Sequence, residues 1–226
     1  MNLKLIFTIS ILILIIFYLR NMKILKFIKN HKFKICLLII ITIIVIYYNR
    51  NKITKQVIGI AHLNNNNIKG NILFKEDNIN NNVKIEVNLS GLPSNSELGF
   101  HIHEAGDLSE GCKSACMHFN PFNEIHGGPE SVHRHVGDLG NIKTDQYGNC
   151  SMSFADSMIK LNDNNKSIFD YLFNTYTSQN IIGRSIVIHD KIDDLGLGNN
   201  SESLKTGNAG SRIACAVIGY SKEMCK

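Results

Sequence analysis

Val83-Lys-Ile-Glu-Val-Asn-Leu89 alternates apolar and polar residues at every step. Successive side chains of an extended chain point to opposite faces, so this stretch reads as a strand with one buried face. Working outward, similar short runs stand at 56–63, 70–76, 98–103, 149–154, 185–189 and 212–219, with a weaker one at 139–143. Turn signals such as Gly91-Leu-Pro-Ser-Asn95 separate them. The Asn runs at 64–67 and 80–82 also fall where turns are expected, and are read as compositional bias without a functional role. About eight short strands without helical patterning predict an all-β barrel or sandwich. Two connections, 104–138 and 190–211, are too long for hairpins, and loops of that length usually carry function. A third stretch, 162–180, has room for a short helix at Ser167-Ile-Phe-Asp-Tyr-Leu-Phe173.

Two apolar runs precede these strands, Leu5–Leu19 and Ile35–Tyr48. Both are shorter than the ~20 residues that span a bilayer comfortably, but flanking Tyr, Lys and Arg can snorkel and mismatch can be absorbed. They are apolar on all faces, and two buried core helices are the rival reading set aside in favour of a membrane anchor. The first lacks a small-residue cleavage site, since Tyr18-Leu19-Arg20 follows directly. Between the runs lie Arg20, Lys23, Lys26, Lys29, Lys32 and Lys34; after them come only Arg50, Lys52 and Lys55. The positive-inside rule keeps the 20–34 loop cytoplasmic and puts the following domain on the lumenal or extracellular side. A start at Met22 would leave one signal-anchor with the same orientation. Residues 1–55 are thus expected to be a hydrophobic membrane anchor and 56–226 the working domain.

The formal charge of +5 hides a segregation. Residues 1–55 hold ten Lys/Arg and no acid, leaving 14 basic and 19 acidic residues beyond them, a net of −5. A basic leader on an acidic domain leaves no basic face for phosphates, which argues against a nucleic-acid partner. None of the six cysteines forms a C-x-x-C pair, so a zinc finger or thioredoxin-like motif is not indicated. One or two disulfides are compatible with the spacing, which does not choose among pairings.

Seven of nine His fall between 101 and 189. His101-Ile-His103 ends a predicted strand, and side chains two apart share one face, so both imidazoles can reach one metal. A lone His-x-His is weak evidence. His118, His126 and His135 follow through a Gly-rich loop, with Asp138 three residues beyond. Three imidazoles and a carboxylate make a closed tetrahedral set that suits Zn²⁺. Ser185-Ile-Val-Ile-His189 ends an apolar strand in a further imidazole, and an open, imidazole-rich site beside His101 and His103 favours Cu²⁺.

The blocks Gly99-Phe-His-Ile-His-Glu-Ala-Gly-Asp107, His118-Phe-Asn-Pro121, His126-Gly-Gly-Pro129, Arg134-His-Val-Gly-Asp-Leu-Gly-Asn141 and Gly207-Asn-Ala-Gly-Ser-Arg-Ile-Ala-Cys215 resemble the signature blocks of copper/zinc superoxide dismutases, in the family's order and over roughly residues 56–221. The resemblance implies an eight-stranded Greek-key β-barrel with two long functional loops, behind the N-terminal anchor. It implies dismutation of superoxide to oxygen and hydrogen peroxide, an antioxidant activity, by a redox-cycling copper with a structural zinc. His101, His103 and His189 would bind copper; His118 would bridge both metals and relay a proton; His126, His135 and Asp138 would complete the zinc site. Asp193 would link the two sites from behind, Cys112 and Cys215 would form a disulfide, Arg212 would sit beside the open copper face, and Lys205 would guide the anionic substrate.

Several positions depart from the family's pattern. Cys116-Met117 stand where Gly-Pro usually precedes the bridging His, and His133 is an extra imidazole expected to be exposed. The 162–180 stretch is longer than in familiar relatives and, with Ala105 in place of an aromatic, puts the usual homodimer in doubt. Asn149-Cys-Ser151 is an N-glycosylation pattern of a kind that an Asn-rich chain writes by chance. An inactive copper-binding or decoy module of the same fold is the rival reading, and a structural zinc domain without copper is a third. Every ligand position and Arg212 are retained, which favours the enzyme. The Asn, Ile and Lys bias fits an AT-rich protist or a large DNA virus equally, so a virion or virus-associated membrane is the alternative location.

Overall fold

Among the described residues beyond Lys55, nine short strands, β1 (Ile58–Asn65), β2 (Ile68–Glu76), β3 (Val83–Ser90), β4 (Glu97–His103), β5 (Ser109–Cys112), β6 (Asp138–Lys143), β7 (Cys150–Asp156), β8 (Ser185–His189) and β9 (Arg212–Tyr220), make up most of the regular structure. The structure is a computed structural model and describes residues 37–43, 56–65, 67–77, 80, 82–163, 170 and 176–225. It divides into two units, 1–54 and 55–226.

In the first unit, residues 37–43 are helical, and Thr42 Oγ1 donates to the Leu38 carbonyl at 2.7 Å. Leu38, Ile39, Ile40 and Ile43 expose their side chains. These residues belong to the second apolar run; the first run and the basic loop lie outside the described residues. Among the described residues, no helix is long and apolar enough to cross a membrane.

The second unit is one eight-stranded antiparallel sheet in the order β6-β4-β8-β9-β1-β2-β3-β7. Its all-β architecture and strand positions agree with the alternation in the sequence. In β3, Val83, Ile85, Val87 and Leu89 are buried while Lys84 and Asn88 are exposed. Each such burial is worth about 1.5–3 kcal/mol, and a one-residue slip would turn all four to solvent. β3 is therefore held in one register between β2 and β7, with Val87 opposite Ile72 and Met152. A charge at Ile85 would break it. The two end strands of the order, β6 and β7, close toward one another without a ladder of their own. Arg134 bridges that seam: it donates to the Asp138 carbonyl at 2.8 Å on β6 and pairs with Asp156 at the end of β7.

β4 and β8 depart from half-buried alternation. Leu98, Phe100 and Ile102 of β4 join the main core, yet His101 and His103 on the opposite face are also buried. The long connections that follow β4 and β8 lie over that face. The first contains β5, which the alternation did not reveal. β5 is no part of the eight-stranded sheet and carries no apolar stripe, so it leaves no period to read. It runs into a 3-10 turn at Lys113–Ala115, where Ser114 Oγ accepts the Glu110 N–H at 3.2 Å. The 190–211 connection ends in one helical turn, α1 (Ser203–Thr206). The short helix expected at Ser167–Phe173 falls outside the described residues except at position 170, which is helical.

Candidate metal centre

β4 supplies two imidazoles and β8 a third. Phe100 and Ile102 enter the core, which turns His101 and His103 to the loop-covered face. His189 ends the neighbouring strand, and its Nε2 is 3.4 Å from His103 Nε2. His118 arrives from the first long loop. A bridge to His103 locks it onto the end of β4, with Glu104 N donating to the Met117 carbonyl at 2.9 Å and Phe119 N to the Ile102 carbonyl at 2.8 Å. All four rings are buried, and each offers one nitrogen within 4.8 Å of the others.

The outer nitrogens are engaged by acceptors. His101 Nε2 donates to Asp193 Oδ2 at 2.8 Å, His103 Nδ1 to the Cys116 carbonyl at 2.8 Å and His189 Nδ1 to the Gly210 carbonyl at 3.2 Å. His118 Nδ1 lies 2.9 Å from Asp138 Oδ1. Carbonyl and carboxylate oxygens only accept, so a neutral ring spends its proton outward and keeps a bare lone pair inward. His101 Nδ1 and His118 Nε2 are buried without any hydrogen-bond partner. Such atoms cost about 1–3 kcal/mol each when nothing meets them. A cation that accepts four nitrogen lone pairs fits this donor set. Burial first, and then the neighbouring His118, hold His101 at about 3, His103 at about 2 and His189 at about 4, so these rings stay neutral at pH 7, the form that ligates metal.

The second cluster shares His118. Asp138 Oδ1 is 2.9 Å from His118 Nδ1, 3.0 Å from His126 Nδ1 and 3.0 Å from His135 Nδ1. Asp138 Oδ2 accepts the backbone N–H groups of Gly127 at 3.1 Å and His135 at 2.9 Å. Burial opposes charge on Asp138, yet the three imidazoles hold its carboxyl far below the usual range. His126 has a conflict. Its Nε2 donates to Asp193 Oδ1 at 2.8 Å, so a neutral ring aims the Nδ1 lone pair at a carboxylate oxygen, and no hydrogen bond forms there despite the short distance. Burial pulls His126 down, but Asp138 and Asp193 outweigh it and raise it to about 9. The cage therefore demands positive charge. Three nitrogens and one oxygen around it fit Zn²⁺.

Asp193 is buried behind both clusters and takes one hydrogen bond from each, through His101 and His126. The 190–211 loop turns back over this contact at Gly207, whose φ is +65°. A Cβ there would collide with Asp193 Oδ1 and stand 2.5 Å from His126 Nε2, so only glycine fits. His133, by contrast, is exposed and pairs with Glu124 at 2.9 Å, outside both clusters.

Arg212 faces His189 across the β8–β9 ladder. Its guanidinium donates to the carbonyls of Cys112 at 2.7 Å and Lys113 at 3.2 Å, and to that of Cys116. The Cys112–Cys215 disulfide ties the same loop to β9. Cys116 holds φ 65° and ψ −151°, a region almost reserved for glycine. A cavity of about 450 Å³ opens here, with His103, Met117, His118, His189, Lys191 and Arg212 in its wall. Lys205, on α1, is not part of that wall. Lys191 is, and nothing in its sequence context singled it out.

An eight-stranded β-barrel whose covered face holds two imidazole-rich clusters, joined through one ring, is a binuclear metalloprotein. The family model described as copper/zinc superoxide dismutase matches residues 68–218. The chain is 52% identical over 191 residues to the superoxide dismutase [Cu-Zn] of Paramecium bursaria Chlorella virus 1, covering 83% of this chain and 93% of that relative. It is 44% identical over 162 residues to the extracellular superoxide dismutase [Cu-Zn] of Drosophila melanogaster, covering 72% and 81%. A solved structure titled as the clock protein EA4 superposes with a TM-score of 0.64 at 41% identity, covering 74% of this chain and 97% of that one. The chain belongs to the copper/zinc superoxide dismutase family. It is an oxidoreductase that dismutes superoxide, with copper and zinc as its cofactors.

Proposed function

We propose that His101, His103, His118 and His189 hold the copper, that His118, His126, His135 and Asp138 hold the zinc, and that Arg212 receives superoxide at the open face. The observation that carries this reading is the pair of buried, partnerless nitrogens, His101 Nδ1 and His118 Nε2, set among inward-facing imidazoles. When bound, copper supplies the redox couple that alternately oxidises and reduces superoxide. The chain supplies the rest. Arg212, fixed by three carbonyls, offers its positive charge and its remaining N–H groups to the anion. His118 Nε2 holds a proton between the two half-reactions and gives it to the departing peroxide. Asp138 fixes the His118 ring during this exchange, and Asp193 fixes His101 and His126. Copper and zinc measured on purified protein test the assignment: one of each per chain is expected, and zinc alone in copper-replete protein would overturn it.

The apolar runs and the exposed aliphatic helix at 37–43 support a membrane anchor, with the domain on the lumenal or extracellular side. The Cys112–Cys215 disulfide suits an oxidising compartment, and one relative is extracellular by name. A virus-associated membrane is the alternative, in keeping with a viral relative. Protease protection of the domain in sealed vesicles separates a lumenal from a cytoplasmic placement. The family's homodimer is opposed by the 162–180 insertion and by Ala105 in place of an aromatic, and a dimeric mass by ultracentrifugation would overturn that reading.

A further inference from the structure

Two sulfur side chains, Cys116 and Met117, immediately precede His118. Met117 is 53% exposed and forms part of the cavity wall with His103, His118 and His189. Cys116 is an exposed free thiol, since the disulfide of this loop is made by Cys112 and Cys215. It lies within electrostatic reach of the Arg212 guanidinium, which is also in that wall. Deeper in the same cavity wall, His118 Nε2 is buried without a partner. Met117 thus sets a sulfur in the same wall as the imidazole nitrogens, while Cys116, its chain neighbour, is not part of that wall and turns its Sγ to the Ser114 carbonyl at 3.7 Å.

That pairing of sulfur and imidazole matches the chemistry of one ion in particular. Thioether and thiolate sulfur suit Cu(I); a thiolate also takes Zn²⁺, which the nitrogen and oxygen cage around Asp138 already serves. We propose that Met117 and Cys116 form a transient Cu(I) capture site, through which copper enters the cavity before it passes to His101, His103 and His189. This rests on the copper assignment above. The transfer is a ligand exchange without electron transfer: copper remains Cu(I) throughout. Binding displaces the Cys116 thiol proton to solvent. As imidazole–copper bonds form, the sulfur–copper bonds break, and the thiolate recovers a proton from water. A thioether that binds without losing a proton makes Met117 a ligand with no acid–base barrier to release.

The test uses the full chain with zinc bound and copper removed, mixed with the Cu(I)–bicinchoninate complex, whose colour fades as copper is taken up. Uptake by the Met117→Leu, Cys116→Ser double variant should be slower by roughly tenfold, with each single variant between it and the parent. Zinc content of the variants should match the parent and shows that they are folded. In the parent, one equivalent of Cu(I) should protect Cys116 from alkylation at early times, with the protection lost as copper moves inward. Double-variant uptake at the parental rate, or alkylation of Cys116 unaffected by Cu(I), overturns the proposal. If the parent itself takes up no copper, the copper assignment fails instead, and the two failures are told apart.

Discussion

The carbonyl of Cys116 accepts the Nδ1–H of His103 at 2.8 Å, and the same oxygen is held by Arg212. One peptide group thus orients an inner imidazole and the guanidinium at the cavity mouth together. It does so from a backbone conformation, φ 65° and ψ −151°, that costs a non-glycine residue on the order of 1–3 kcal/mol.

Cys116→Gly should therefore raise the free energy of unfolding by about 1 kcal/mol, read from denaturant titration. An unchanged or lowered midpoint would show that the strain is absent. The same variant should lose the thiol that the capture site uses, so stability and Cu(I) uptake should move in opposite directions.

His118 belongs to both clusters, while Asp138 belongs to one. His118→Ala should lower copper and zinc occupancy together. Asp138→Ala should chiefly lower zinc. Elemental analysis of the two variants decides it, and full occupancy of both metals in His118→Ala would refute the shared ring.

Metal-free protein at pH 7 should carry a proton on His126, because its value is raised to about 9. Zinc binding at pH 7 should then release about one proton from this ring, falling away as pH rises past 9. Calorimetry in buffers of different ionisation enthalpy measures it. The sign for stability follows: a raised value stabilises the metal-free fold fully below about 6.5 and that contribution is lost as pH rises through about 9. A melting temperature of the metal-free protein that climbs over this window would contradict the assignment.

The net −5 beyond residue 55 repels an anionic substrate, so local cations must offset it. Arg212 lines the cavity and Lys205 does not. Arg212→Ile should lower the rate more than Lys205→Ala at every ionic strength. The Debye length is ~10 Å at 0.1 M salt, so the Lys205 effect should fade with salt while part of the Arg212 effect persists. Equal rates for parent and Arg212→Ile would place Arg212 outside the reaction.

Strand alternation made the barrel legible, because residues such as Val83 to Leu89 carry their burial in their order. The histidine spacing made both clusters legible, because ligands on β4 lie two apart and those of the loop are regularly spaced. What was not legible depended on contacts between distant segments. β5 has no apolar period. The roles of the Cys116 and Gly210 carbonyls are main-chain roles and leave no side-chain signature. Lys191 enters the cavity wall only because the 190–211 loop folds back on β4, where Gly99 N donates to its carbonyl at 2.8 Å. His133 carries the same side chain as His135 but faces solvent, a difference set by the loop's path alone.

The seam between β6 and β7 has a consequence of its own. Arg134 holds it through the carbonyl of Asp138, and the side chain of Asp138 sits in the His118–His126–His135 cage. Loss of the cage's cation, once rising pH also takes the proton from His126, leaves lone pairs facing Asp138 at the first residue of β6, next to Arg134, which fastens that edge to Asp156. Two strand edges then become available for pairing with other chains. Zinc status would in this way bear on whether one copy of the chain pairs edge to edge with another.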